Sequence, residues 1–542
     1  MGEPDNSDKV MVSMTLEEKT KPLVPAPLWC SCRLTLAFIS FLGFVNLYAL
    51  RVNLSVAMVC MLNHTALSLQ HRSLLNTHTN SSLPAPGQAT ACDGDSLVVN
   101  GNGTSDAGNS KEGEFVWPRE IQGLILGSFF WGYLVTQVPG GWLSARLGGK
   151  RVFGYFMCAC AVVTLLMPVA ARADYRLLLF LRFAAGVCQG VVWPAMQTVW
   201  AKWTPPLEAG KLQGFCYAGS QIGNVLTFPI AALLCEYGFD GGWASVFYVL
   251  GGCGLLWFAA WMLLVFDSPD QHPRISAQEL EYIQASLRGR GGKSSTAVTI
   301  PWRSILTSKP VWAIVVTHTC ANWGTYTFLT NIPTYLKEVL RFDIKKSGLV
   351  SSLPYIGFWL VINISGHIFD MLQSRGSLTP TAARKIGNSM GLMLPAVLVL
   401  GVGFMDCHSA LWGVVLLTVG VAMSGCQYGS GFIINPGDIA PRYAGIIFGI
   451  SNTFATIPGF LAPTAIGYIT SDQTQGQWQI VFFICAAIYV SGAIFYMVFG
   501  TAHLQGWACE ELVTIIPEHS VPVPVPLPAP LETDSSPDKA KD

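Results

Sequence analysis

The chain has 542 residues, 32 lysines and arginines against 32 aspartates and glutamates, and only 12% charged residues beside 51% apolar ones. A soluble chain carries about 25% charge, so the deficit points to lipid as the solvent, and the neutral balance excludes a nucleic-acid partner. Fifteen cysteines fall mostly inside apolar runs (Cys158, Cys160, Cys188, Cys253, Cys320, Cys426, Cys485), where they read as small hydrophobic residues. The pairs Cys30/Cys32 and Cys158/Cys160 do not have metal-ligand spacing, so neither a disulfide framework nor a metal centre is expected.

Residues 1–33 are polar and lack the apolar core of a cleavable signal peptide. They read as a cytosolic tail, with the first membrane helix directing insertion. A bilayer needs about 20 apolar residues per helix. Spans fall near 34–61, 120–143, 152–171, 176–200, 212–235 and 243–266, then near 311–336, 347–369, 387–406, 409–430, 443–468 and 479–501. The expectation is an all-α integral membrane protein with twelve transmembrane helices in two six-helix halves, 34–266 and 311–501, around a cytosolic loop at 267–310.

Within the first half, residues 62–119 form a long loop rich in Ser, Asn, Gly and Thr. It carries glycosylation sequons at Asn63, Asn80 and Asn102. Asn53 and Asn363 also match but lie inside spans. Lysine and arginine near the span ends set orientation. Arg146, Lys150, Arg151, Lys202, Lys211, Arg375, Arg384, Lys385 and Arg442 fall on one side, with the basic central loop, and place both termini in the cytosol. The loop after span 7 goes against the trend with Lys337, Arg341, Lys345 and Lys346. Residues 502–542, Pro-rich and then acidic, read as a disordered cytosolic tail.

Short loops recur at matching places in the halves. Gly140-Gly141-Trp142-Leu143-Ser144-Ala145-Arg146 follows span 2, and Gly366-His367-Ile368-Phe369-Asp370 ends span 8. They resemble the loop signature of the major facilitator superfamily, with Ala145 where an aspartate is common. In transporters built of such repeats the substrate site lies near the bilayer midplane, between the halves.

Inside the spans there is a mismatch of charge. Arg51 lies in span 1 and Arg182 in span 4, and a charge at the bilayer centre costs at least about 2.5–3.5 kcal/mol. No Asp or Glu lies deep in a span; Glu120, Asp370 and Asp438 sit at helix ends. Two intramembrane cations without resident anions imply that the anion arrives as substrate, and guanidinium suits a carboxylate or phosphate. Helical spacing gathers Tyr48, Arg51 and Ser55 on one face, and Arg182, Ala185, Gln189 and Trp193 on another. His318, Asn322 and Tyr326 share a face of span 7, as do Asn452 and Thr456 of span 11. For any one of the amides and hydroxyls, a helix–helix hydrogen bond is the more ordinary role.

Several runs resemble the anion-transporting solute carrier family 17: Tyr48-Ala49-Leu50-Arg51-Val52-Asn53-Leu54-Ser55, Gly127-Ser128-Phe129-Phe130-Trp131-Gly132-Tyr133, Trp203-Thr204-Pro205-Pro206-Leu207-Glu208 and Asp438-Ile439-Ala440-Pro441-Arg442-Tyr443-Ala444-Gly445. The likeness covers about residues 34–505. It implies a substrate site at Arg51 and Arg182 with Tyr48, Tyr133 and Tyr326 lining the cavity; Asn322 and Asn452 join them as candidates. It also implies a lysosomal or other vesicle membrane, with proton-coupled export of acidic sugars or acidic amino acids. Two departures matter. Ala185 and Gln189 stand where proton-coupled members have glutamates, and the phosphate- and urate-associated branch has glutamine at the latter. The tail run from Glu18 to Val24 is an altered acidic dileucine signal, which leaves the plasma membrane as an alternative.

These features describe a secondary transporter of small organic anions working by alternating access, with lipid and substrate its only implied partners and no cofactor. Two driving forces stand open: a proton travelling through another group, with His318 the candidate beside Gln189, or membrane voltage. Sodium coupling of the phosphate type belongs to the second branch. A binding-only receptor is the rival class. No nucleophile motif or phosphate-cradling loop supports an enzyme, and too few polar residues line the spans for a channel.

Overall fold

A span in lipid has to satisfy its backbone internally, and a helix does this within one segment. The computed structural model describes residues 26–63, 66, 113–287, 300–340, 352–406, 408–470 and 474–508. Twelve long helical segments run through them: α1 (Cys32–Met61), α2 (Arg119–Leu147), α3 (Gly149–Ala173), α4 (Tyr175–Trp203), α5 (Ala209–Tyr237), α6 (Trp243–Leu264), α7 (Lys309–Glu338), α8 (Leu353–Ser374), α9 (Pro380–Gly403), α10 (Ala410–Ile439), α11 (Pro441–Ile469) and α12 (Gln475–Phe499). Three contain breaks next to prolines or glycines: α4 at Val191, α11 at Ile457, and α10 after Met423 and Ser430.

Eleven of these are long and apolar enough to cross a membrane by length and composition. The exception is α7, whose threonines, His318, Asn322 and Asn331 lower its hydropathy. Its 30 residues at about 1.5 Å each still reach across a bilayer. The α9 helix starts seven residues before the expected 387 because Thr379 caps it, accepting from the Ala382 N–H at 3.2 Å.

The packing repeats. α1 lies on α5 as α7 lies on α11. α2 pairs with α4 as α8 with α10, and α3 with α6 as α9 with α12. Between the halves, α2 packs on α11 and α5 on α8, which is the same contact after exchange of halves. This is the pseudo-two-fold plan of a repeat-built transporter.

Both crossings tighten at the face that carries the basic loops. A Cβ at Gly141 would lie 2.5 Å from the Gly445 carbonyl, and one at Gly366 would lie 2.5 Å from the Gly210 carbonyl. Only glycine permits backbones to meet so closely. The second crossing has a further tie. Asp370 is buried and accepts from the Gly210 N–H at 3.1 Å and the Lys211 N–H at 2.7 Å, capping the first turn of α5 from the other half. At the first crossing Ala145 occupies the corresponding place and has no carboxylate to offer.

The segment between the halves also contributes structure. A helix at Ala277–Leu287 brings Glu279 to the start of α1, where it accepts from the Cys32 and Arg33 N–H groups at 3.1 Å each and pairs with the Arg33 side chain at 3.0 Å. Arg33 pairs as well with Glu208, just before α5. In the second half Arg384 is paired with Asp438 at 2.7 Å. Both of these arginines are at most 1% exposed, and each has a carboxylate.

At the opposite face the ends of α1 and α5 are joined by a disulfide, Cys60–Cys235. This corrects the expectation of no disulfide. The two cysteines lie 175 residues apart, each at the end of an apolar run, and only the packing of α1 on α5 brings them together. Beside it the Phe115 N–H donates to Met61 O at 2.9 Å and the Asn63 N–H to Phe115 O at 2.8 Å, so the two ends of the long loop meet. Asn63 stands at this junction, its side-chain oxygen accepting from the Ala66 N–H at 2.8 Å. Asn80 and Asn102 lie outside the described residues. Arg172 then binds Glu114 at 3.1 Å and Asp240 at 2.9 Å over the Trp243 ring. The guanidinium holds both carboxyls below their ordinary range.

Two outcomes are expected. Denatured wild-type protein should show two fewer maleimide-reactive thiols before reduction than after, and Cys60→Ser should lose that difference and melt earlier. The Arg172 cluster stabilises the fold while its carboxylates are ionised. Because their pKa values are lowered, that stability is present above about pH 4 and is lost as pH falls through the lowered values. The melting difference between wild type and Arg172→Gln should therefore be undiminished at pH 5 and shrink in stronger acid.

Candidate functional site

Arg51 sits about two-thirds of the way along α1, on the face that Tyr48 shares one turn earlier. Its guanidinium carbon lies 5.3 Å from the Tyr48 ring centre, 5.0 Å from Phe129 and 4.4 Å from Tyr133. Arg182, on the first segment of α4, is 3% exposed and lies 5.1 Å from the same Phe129 ring. Gly132 and Gly186 allow α2 and α4 to approach at this level; a Cβ on either would come within about 2.1 Å of the other helix's backbone. Phe129 thus stands in contact with both cations.

Magnitudes show what this arrangement lacks. A cation–π contact is worth about 0.5–2 kcal/mol, so the rings go some way toward replacing water around the charge. They leave several of the N–H groups unpaired. Nε and one terminal nitrogen of Arg51, and Nε and one terminal nitrogen of Arg182, are buried without a hydrogen-bond partner. Each buried unsatisfied donor costs about 1–3 kcal/mol, and more on a charged group. Among the described residues neither arginine forms an ion pair, in contrast to Arg33 and Arg384. The group is an acceptor-hungry cationic site suited to an oxyanion.

Two turns along α4 from Arg182, Gln189 is wholly buried. Its amide donates to Leu47 O at 3.3 Å and contacts Cys160 Sγ at 3.4 Å, while its carbonyl oxygen is unpaired. The amide ties α4 to α1 and α3 and has no proton to exchange.

The other sequence candidates fall at the junction of the halves. Asn452 on α11 donates to Tyr133 OH and to Gln137 Oε1, both at 3.0 Å. Tyr133, which touches Arg51, is therefore bonded to the opposite half. Tyr326 approaches from α7, its ring 6.1 Å from Phe130 and against Gly459. Asn322 and His318 are turned toward α11 instead. Asn322 donates to Ala455 O at 2.9 Å, and His318 shares a 2.6 Å hydrogen bond with Ser451, its ring 4.7 Å from Phe432. The structure thus gathers Arg51, Arg182, Tyr48 and Tyr133 around Phe129, with Asn452 and Tyr326 adjoining, and uses Asn322 and His318 in helix packing.

Three participants escaped the sequence reading: Phe129, Gln137 and Cys160. Phe129 and Gln137 lie within or next to the family-like runs, but no residue-level signal separates a ring between two arginines from a core phenylalanine. Among the described residues no group of His, Cys, Asp and Glu is placed to hold a metal ion.

Residues 36–463 match the Major Facilitator Superfamily. The chain is 42% identical to human sialin (Homo sapiens) over 505 residues, covering 91% of this chain and 96% of that protein. It is 40% identical to a putative inorganic phosphate cotransporter of Drosophila melanogaster (88% and 86% covered) and 37% identical to vesicular glutamate transporter 1 of Bos taurus (91% and 82% covered). The fold is similar to that of a solved proton:xylose symporter bound to 6-bromo-6-deoxy-D-glucose, with a TM-score of 0.62 at 12% identity over 89% of this chain and 98% of that one. It is also similar to FucP in its outward conformation, with a TM-score of 0.56 at 14% identity over 84% and 98%. The twelve helices, the repeat packing and these likenesses agree: this is not an enzyme, and the chain belongs to the major facilitator superfamily and, within it, to the solute carrier family 17 anion transporters.

Proposed function

We propose that this secondary transporter carries small organic anions of the acidic-sugar or acidic-amino-acid class, with Arg51 and Arg182 as the substrate-attracting pair. The observation that carries the reading is their unsatisfied N–H groups around Phe129, with no carboxylate paired to either among the described residues. Tyr48 and Tyr133 wall the Arg51 side. The Tyr133–Asn452 bond joins the site to the other half, so rocking of the halves alters the site as it exchanges access.

The glycine crossings and the Asp370 cap close the basic face. Lysine and arginine support a cytosolic position for that face, and the Cys60–Cys235 disulfide supports an oxidising compartment for the opposite one. The two arguments are independent and agree. The opposite face then borders the lumen of a vesicle or lysosome, or the cell exterior. Likeness to sialin and to a vesicular glutamate transporter supports such a membrane. The run at residues 18–24 lies outside the described residues.

Membrane voltage drives the anion in this reading. Gln189 cannot titrate, and His318 is buried 3% exposed between α7 and α11 beside Phe432 and Phe448. One charge across 100 mV is worth about 2.3 kcal/mol, roughly a fifty-fold gradient. A second reading, proton symport, is favoured by the likeness to sialin and would have to route the proton through His318.

The test is uptake of radiolabelled sialic acid into proteoliposomes with pH gradient and voltage imposed separately. Voltage-driven uptake with no response to the pH gradient is expected, and proton-driven uptake lost in His318→Ala would establish the second reading. Arg51→Ala removes charge-assisted bonds worth about 1.5–3 kcal/mol and should lower uptake at least tenfold. Arg51→Lys should recover only part of it, since an ammonium lacks the planar fork.

A further inference from the structure

We infer that the bound ligand of lowest electrostatic cost carries two negative charges, so that the site selects dianions over monoanions of the same shape. The inference rests on the anion-carrier reading and adds the charge class of the substrate.

It follows from charge balance within this molecule. Four arginines occupy the interior of the described helices: Arg33, Arg51, Arg182 and Arg384. The first and last each hold a buried carboxylate. Arg51 and Arg182 hold none, and the groups around them are neutral: Tyr48, Phe129 and Tyr133 about Arg51, and Phe129 beside Arg182. The buried polar group further along α4 is also neutral, since position 189 is an amide. Both guanidinium carbons lie about 5 Å from the Phe129 ring centre, so they are within about 10 Å of each other. A monoanion therefore leaves one uncompensated positive charge in a region of low dielectric.

The second negative charge does not need to touch Arg182. At about 10 Å and an effective dielectric of about 20, two unit charges interact by an amount that changes binding on the order of tenfold. Direct contact would add to this. Phe129 lies within cation–π distance of both cations, so the positive field is spread over the site instead of being concentrated at one point. An elongated dianion fits this better than a compact one.

The same count governs transport. When a dianion fills the site, the loaded site is neutral and the empty one returns with two positive charges. Two charges should then cross the membrane for each substrate molecule carried.

The experiment compares succinate with monomethyl succinate, which differ by one charge, on the purified full-length protein at about pH 7, where both succinate carboxyls are ionised. Binding is read by thermal stabilisation, and charge per substrate by parallel current and tracer flux in proteoliposomes. Succinate is expected to bind at least tenfold more tightly, with two charges moved per molecule. Gln189→Glu adds a fixed carboxylate with little change of shape and should bring the binding ratio near one, while the charge moved per succinate stays at two because that carboxylate crosses with the loaded and the empty site alike. Equal or tighter binding of the monoester by the wild type would overturn the inference and leave the anion-carrier reading standing. Absence of binding by succinate, its monoester and sialic acid alike would overturn both.

Discussion

A bare guanidinium in a low-dielectric interior is the costliest group a membrane protein can hold, and the structure around Phe129 is organised by two of them. Their charges are spread over aromatic rings, which soften the penalty without satisfying the N–H donors. Everything else in that region is neutral and tightly packed. The Gln189 amide N–H groups are used on the Leu47 carbonyl and on Cys160, while its carbonyl oxygen stays unpaired. The unsatisfied state is a property of the site, and it gives an anion a reason to leave water.

Packing elsewhere prevents this local cost from spreading. The other buried arginines are neutralised: Arg33 by two carboxylates from distant parts of the chain, and Arg384 by Asp438. A buried pair of this kind contributes little net stability but is costly to break, so it fixes geometry. Both lie toward the face where the halves meet through glycine. The near symmetry of the two crossings makes their single difference informative. One is capped by Asp370, and the other has alanine in the equivalent loop. At the basic face the α5–α8 crossing carries a carboxylate tie, whereas the polar tie of the α2–α11 crossing is made by Asn452 to Tyr133 and Gln137.

The sequence made the helix count, the division into halves and the two intramembrane arginines legible, because hydropathy and charge are local properties. The α7 helix was found by its length even though its polar residues dilute its hydropathy. Partnership was not legible. His318, Asn322 and Tyr326 share a face, yet His318 and Asn322 bond to α11 and Tyr326 reaches the neighbourhood of α2. The disulfide was missed for the same reason: a cysteine at the end of an apolar run looks the same whether it packs or bonds. Phe129 was visible within a family-like run, but its contact with two cations depends on where α2 is placed against α1 and α4.

The pairing of α1 with α5 has a mechanical consequence. At one end the helices are joined by Arg33 and Glu208, and at the other by Cys60 and Cys235. Pinned at both ends, they cannot slide along each other or splay apart, and they act as a stiff two-helix beam about 45 Å long. Arg51 rides on this beam, and the Asp370 cap grips its basic end. Release of that cap therefore cannot move α5 alone. Any tilt it permits is carried along the beam to the guanidinium, so that opening the cytosolic side and shifting the substrate's anchoring charge become one motion.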